Sequence, residues 1–166
     1  MKKKFIIGID GSGADEAEKG VLEYAKWLEQ KCDELAARLA DLGGFTASLG
    51  FARAFYVGPN DAAITVEKKG NGHYVIKANG TSVLFIEFGS GVTYGYGHPE
   101  PNGYGPGTYP GKGHWDDPNG WYLPKNAQAA DGTKHSYGNP PAKAMYNAVT
   151  ELEQNLESIV REVFES

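Results

Sequence analysis

Apolar residues recur at alternating steps of four and three through the first quarter of the chain, the spacing that keeps side chains on one face of an α-helix. The pattern predicts a long helix that opens at a capping box formed by Ser12 and Asp15, runs to about Leu42 and stops at Gly43 and Gly44. The apolar positions of this helix are Val21, Ala25, Leu28, Cys32, Leu35, Leu39 and Leu42.

The same spacing returns at the C-terminal end of the chain. It predicts a second helix to about Phe164, with Asn139 as a plausible N-cap and Pro140 and Pro141 at its start. Its apolar positions are Met145, Val149, Leu152, Leu156, Ile159 and Val163. Each helix therefore offers one apolar stripe for packing.

Between the helices the pattern changes to short runs separated by "GPND", "KGNG" and "ANG", whose Gly and Asn residues suit tight hairpin turns. The run "SVLFIEFG" is apolar on both faces except at Glu87, which predicts a central strand. The predicted strands are residues 4–9, 51–57, 62–68, 73–79 and 82–88. We therefore expect a single α+β domain over residues 1–166, with a small antiparallel sheet of about four to five strands.

Residues 89–121 break every periodicity and consist mainly of Gly, Pro, aromatic and polar residues. Segments this long without regular structure are functional or disordered, and aromatic side chains are typical anchors of interfaces. We expect a flexible insert that orders against a partner, either a protein surface or a sugar. Its candidate interface residues, together with Glu87, are Tyr94, Tyr96, Tyr104, Tyr109, Trp115 and Trp121.

The opening stretch "FIIGIDGSGADE" has the strand, glycine turn and helix order of a phosphate-binding loop. Glu16 stands where a dinucleotide fingerprint needs its third glycine, and no Lys-Ser or Lys-Thr follows. Acidic residues at the helix start would also repel a phosphate. We therefore interpret Gly11 and Gly13 as structural and expect no nucleotide cofactor.

Catalytic and metal-binding patterns are equally weak. The histidines in and beside the insert lack recognised ligand spacing, so we interpret them as polar residues of a solvated loop. Glu87 is either an unusually placed base or, as we prefer, a carboxylate that faces the insert or a neighbouring chain. The histidines, with their acidic neighbours, are His98, His114, His135, Glu100, Asp116 and Asp117. The sequence predicts neither an enzyme nor a metal site.

The formal net charge of -5 gives the chain no basic excess with which to neutralise a nucleic acid. The apolar run "FII" after three lysines is too short for a signal peptide or a membrane span. We expect a protein of the cytoplasm that binds neither nucleic acid directly nor membrane.

Two motifs carry a family resemblance. "SVLFIEFGSG", followed after the insert by "YGNPPAKAMYNAV", resembles the tail-completion or head-tail joining proteins of long-tailed bacteriophages, which have an E-F-G strand and a proline-marked C-terminal helix. The matching positions are Phe85, Glu87, Phe88, Gly89, Ser90, Pro140, Pro141, Met145 and Ala148.

The resemblance implies a non-enzymatic virion or prophage protein that assembles as a ring, commonly of six subunits. Such a ring lies between the head connector and the tail tube, so the expected locations are the host cytoplasm during assembly and then the virion neck or tail. A tail terminator is the near alternative. A carbohydrate-binding module that uses the aromatic insert is the alternative from another class.

Overall fold

The computed structural model describes residues 13–91, 97–99, 117–123 and 134–165. Its helices and strands, in chain order, are α1 (Ala14–Arg53), β1 (Ala63–Gly70), β2 (His73–Asn79), α2 (Val83–Phe88), β3 (Trp121–Tyr122), β4 (His135–Ser136) and α3 (Ala144–Glu165). Both helices and antiparallel sheets are present, and long helices stand at each end, as the sequence predicted. The predicted strand at residues 4–9 lies outside the described residues.

Helix α1 continues without a break through Gly43 and Gly44, so the predicted end at these residues is wrong. A Cβ atom at Gly43 would lie 2.7 Å from Cδ1 of Ile76 and 3.1 Å from Cδ1 of Leu152, and one at Gly44 would lie 2.6 Å from Cγ2 of Val66. The glycines are therefore small residues in a packed interface, not a terminator. Tertiary contacts outweigh the low helix propensity of glycine here.

Helices α1 and α3 pack antiparallel. Gly50 lies against Ala144 near the start of α3, while Arg38 forms an ion pair with Glu162 at 3.2 Å near its end. Ala47 is fully buried on the same face of α1. Small residues at the crossing let the two backbones approach closely.

Strands β1 and β2 form the one hairpin that the sequence located correctly, with Val66 opposite Ile76. Asp33 of α1 fixes the tip of this hairpin: its carboxylate pairs with Lys68 at 2.6 Å and accepts the backbone N–H of Gly72 at 2.9 Å. In the described part of the chain each sheet has two strands. The predicted sheet of four to five strands is not confirmed.

Two of the predicted strands are instead helical or irregular. Residues 51–53 form the end of α1, with Phe51 buried in the core, and the chain then leaves the helix at Ala54. The run "SVLFIEFG" contains helix α2, whose Ile86 is fully buried against Phe51 and Ala144. A six-residue apolar run does not distinguish a buried strand from a buried helical turn.

The start of helix α2 is held by the carboxylate of Asp61, a residue that precedes β1 in the chain. Asp61 accepts the backbone N–H groups of Thr81 and Ser82, both at 2.8 Å, and also the hydroxyl groups of both residues. The hydrogen bond from the Ser82 hydroxyl, followed by the two backbone donors, lowers the pKa of Asp61 from its usual value of 3.8.

We predict that Asp61 makes the fold sensitive to acid. Because the folded state lowers the pKa of Asp61, its stabilising contribution is complete above about pH 4 and is lost as the pH falls below that value. The stability advantage of the wild type over Asp61→Asn, measured by urea unfolding, is expected to shrink from about pH 6 to about pH 3. Other carboxyl groups also have lowered pKa values, but they are present in both proteins, so their effects cancel in the difference in stability between wild type and Asp61→Asn. An advantage that is constant over this range would contradict the assignment.

Candidate functional site

Glu87, the acidic residue within the apolar run, is buried at the junction of α2 and α3. One carboxylate oxygen, Oε2, accepts the backbone N–H of Met145 at 2.8 Å, and the other, Oε1, accepts that of Tyr146 at 3.0 Å. These N–H groups belong to the first turn of α3, where no carbonyl of the helix can accept them. Glu87 therefore caps α3 from another helix, and its charge faces the positive end of the helix dipole.

The backbone completes this junction in the opposite direction. The N–H of Ala142 donates to the carbonyl of Ile86 at 2.8 Å, and that of Lys143 donates to the carbonyl of Glu87 at 3.2 Å. Lys143 has a φ of 57°, a left-handed conformation that a side chain adopts rarely and at a cost of about 1 to 3 kcal/mol. The ends of α2 and α3 thus satisfy each other's polar groups.

Asn139, the predicted N-cap of the last helix, has another role, because α3 begins five residues later at Ala144. Asn139 is buried and pairs with Ser90 through backbone hydrogen bonds of 3.0 and 3.1 Å. Its side-chain amide also donates to the carbonyl of Phe85 at 3.0 Å. The prediction that Asn139 caps the helix is wrong. This residue fastens the two ends of the insert region to each other.

His98 is the second buried titratable residue of the junction. It is 8% exposed, and its Nε2 lies 3.3 Å from Oε1 of Glu87. The ring centroid is 4.6 Å from that of Phe88 and 5.5 Å from that of Tyr146. The interpretation of His98 as a solvated loop residue is therefore wrong. Glu87 faces this residue of the insert as well as the first turn of α3.

The other candidate metal ligands do not join this pair. Asp117 is exposed. His135, on β4, packs against Tyr122 and Tyr137. His114, Glu100 and Asp116 lie outside the described residues. Within the described ranges no three His, Cys, Asp or Glu side chains come close enough to hold a metal ion.

The first residues of the insert, Ser90 and Gly91, lie very close to Tyr137 and Gly138, which precede α3. Gly138 has a φ of 112°, and a Cβ atom there would overlap the carbonyl oxygen of Ser90. A Cβ atom at Gly91 would likewise overlap the carbonyl of Tyr137. These positions require glycine because a side chain has no space, and because the positive φ of both residues is a conformation that side chains rarely adopt.

A small aromatic group lies on the β3 and β4 pair. The ring of His135 is 4.9 Å from that of Tyr122 on one side and 4.9 Å from that of Tyr137 on the other, in edge-to-face geometry. Tyr122 is 82% exposed and Tyr137 is 51% exposed, while Trp121 is half-buried. Trp121 is the one predicted interface aromatic that the structure describes. The other predicted interface aromatics lie outside the described residues: Tyr94, Tyr96, Tyr104, Tyr109 and Trp115. Most of the insert, for which the sequence predicts flexibility, also lies outside them.

An open groove of about 560 Å³ adjoins the Glu87 and His98 pair. Its walls are mainly apolar, Val149 at its edge is 54% exposed, and Glu153 and Thr150 add polar groups. The remaining lining residues are Val83, Leu84, Glu87, Phe88, His98, Met145 and Tyr146. The sequence analysis missed this groove because its two sides come from α2 and α3, which are far apart in the chain.

Comparison of the chain with models of protein families, with curated proteins and with solved structures finds no match. No helix in the described residues is both long and apolar enough to cross a membrane.

Proposed function

We propose that this chain is a structural phage or prophage protein that assembles as a ring at the junction between head and tail, in tail completion or head-tail joining. The observation that carries the proposal is that the two motifs of the family resemblance meet in space. Glu87 binds the start of α3 at Met145, and Gly89 lies against Pro141. Residues that are separated by the whole insert thus form one compact structural element.

The chemistry of this element favours structure over catalysis. Both oxygens of Glu87 accept backbone N–H groups, and Oε1 is also shared with His98. A carboxylate with these partners holds two helices and an insert residue in fixed positions. The proposal accordingly involves no cofactor and no enzymatic reaction.

The insert in this proposal docks a neighbouring subunit or an adjoining ring. The structure of its first residues supports the role, because Ser90 is buried and pairs with Asn139, so the insert starts from a fixed base. The partners would be further copies of the chain in a ring such as a hexamer, together with the head connector and tail-tube proteins. The places of action would be the host cytoplasm during assembly and the virion neck or tail.

The test is a deletion of residues 101–116, replaced by a short Gly-Ser bridge, in the phage or prophage that encodes the chain. The deletion keeps His98 and β3, so we expect an unchanged melting temperature of the purified protein. Lysates are expected to contain filled heads and complete tails that are not joined, as counted by electron microscopy.

A matched variant keeps the length and glycine content of the insert. Tyr104, Tyr109 and Trp115 are replaced together by serine, and the same loss of joining is expected if aromatic anchors make the contact. Normal particles from both variants would contradict the docking role. Tails of undefined length, with joining intact, would favour the tail terminator instead.

Sugar binding is a second candidate function, favoured by the exposed rings of Tyr122 and Tyr137 beside His135. Titration with a soluble cell-wall oligosaccharide, followed by the fluorescence of Trp121, tests it. A saturable change that Tyr122→Ala abolishes would support the carbohydrate-binding module over the ring protein.

A further inference from the structure

The groove between α2 and α3 combines mainly apolar lining residues with the exposed carboxylate of Glu153. Val83, Leu84 and Phe88 come from α2, while Val149 and Glu153 come from α3. Helix α3 contains five glutamates, at 151, 153, 157, 162 and 165, and one basic residue, Arg161. An occupant that fits this surface has large apolar side chains next to positive charge.

One segment of the chain has that composition. Residues 2–7 read "KKKFII", with three lysines directly before three large apolar residues. Two lysines of the hairpin are already paired within the fold: Lys68 with Asp33, and Lys77 with Glu67. Charge and apolar content therefore select the 2–7 segment as the complement of the groove.

Chain geometry decides which copy supplies the segment. The groove lies beside the C-terminal part of α1, because Leu152 contacts Gly43 and Ala144 contacts Gly50. Gly13, at the other end of α1, is thirty residues before Gly43, which corresponds to about 45 Å along the helix. Phe5 is eight residues before Gly13, and eight extended residues span at most about 29 Å. The apolar part of the segment cannot reach the groove of its own chain.

We propose that the groove receives residues 2–7 of a second copy of this chain. The inference rests on the proposed function in that it supplies a contact from which a ring can be built. The donor segment and the acceptor groove are different surfaces, so the contact is head-to-tail, the type that generates closed rings or open filaments. The apolar side chains would cover Val149 and Phe88, and the lysines would lie against Glu153 and its neighbours on α3.

A direct binding test uses a fluorescent peptide with residues 1–10 as the probe. The acceptor is the full chain with Lys2→Glu, Lys3→Glu and Lys4→Glu, so that its own segment does not compete. Saturable binding is expected by fluorescence anisotropy, and Val149→Glu or Glu153→Lys in the acceptor is expected to raise the Kd by about tenfold or more. Glu165→Lys is the matched control, because it makes the same charge change on α3 away from the groove, and it is expected to leave the Kd within about twofold.

A mixing experiment tests the polarity of the contact. The triple lysine variant has a normal groove, and the Glu153→Lys variant has a normal segment. Each is expected to stay monomeric alone in sedimentation velocity, whereas an equal mixture is expected to form dimers of one copy of each. Circular dichroism of each variant verifies folding, and Val149→Glu replaces Glu153→Lys if the latter does not fold.

Three results would overturn the inference: no saturable peptide binding, binding that the groove variants leave unchanged, or self-association of the triple lysine variant at wild-type strength. The last would mean that another part of the second copy fills the groove. All of these measurements use purified protein. Failure of the peptide to bind, together with the expected joining defect of the insert variants, would reject this inference alone. Peptide binding that the groove variants weaken, together with normal joining in the insert variants, would reject the proposed function alone.

Discussion

Replacing Glu87 with alanine is expected to lower the free energy of unfolding by about 3 to 5 kcal/mol, the range for breaking a buried charged hydrogen-bond partnership. The alanine leaves the N–H groups of Met145 and Tyr146 without their acceptor and removes the negative charge from the start of α3. It also removes one hydrogen-bond partner of His98. Urea unfolding followed by circular dichroism measures the loss.

Two variants separate the cap from a general effect of losing an acidic residue. Glu87→Gln keeps one acceptor oxygen and loses the charge, so an intermediate loss of about 1 to 3 kcal/mol is expected. Glu157→Ala removes an exposed glutamate of α3 that pairs only with a neighbour on the same helix, and a change within about 0.5 kcal/mol is expected. Equal stability of Glu87→Ala and Glu157→Ala would show that Glu87 does not cap α3.

Replacing Gly138 with alanine is expected to destabilise the protein by about 3 kcal/mol or more. A φ of 112° alone costs a side chain about 1 to 3 kcal/mol. The new Cβ atom would also overlap the backbone carbonyl of Ser90, which cannot turn away without breaking its hydrogen bonds with Asn139. Thermal unfolding of the purified variant measures the effect.

The comparison for this prediction is Gly70→Ala at the end of β1. A Cβ atom at Gly70 would meet no atom within 4 Å, and the residue does not have a positive φ. This substitution is expected to be neutral or to stabilise by up to about 1 kcal/mol. Equal melting temperatures of Gly138→Ala and Gly70→Ala would show that the close packing of Gly138 against Ser90 does not stabilise the protein.

The sequence pattern predicted a long helix at each end of the chain, because apolar residues at steps of four and three are typical of helices. It did not predict which side chains are buried, since Val21, Leu28 and Cys32 of the predicted stripe are exposed. Helix α3 ends at Glu165, one residue from its predicted end. The pattern did not predict how α1 ends, since Gly43 and Gly44 are typical of a terminator when read alone. These two positions need glycine because Val66, Ile76 and Leu152 pack closely against them. Those residues are distant in the sequence and come close only in the folded chain.

The site was predictable only in part. The sequence indicated Glu87 because it is a charged residue within an apolar run. In the structure its carboxylate has three partners: the N–H groups of Met145 and Tyr146, and His98. The sequence did not indicate His98, since the Gly-rich sequence around it is typical of an exposed loop. Its burial depends on Phe88 and Tyr146, and local composition carries no information about such distant contacts.

The glycines along α1 also bear on the order of folding. Gly43, Gly44 and Gly50 each cost the isolated helix about 1 kcal/mol relative to alanine, so this half of α1 has little tendency to form by itself. The half that precedes them has strong local helix formers and can gain structure early. We therefore expect the C-terminal half to become helical only as the hairpin and α3 dock on it, so that its formation depends on long-range contacts. Alanine at these positions would favour the isolated helix but would clash with Ile76, Val66 or Ala144 in the docked state.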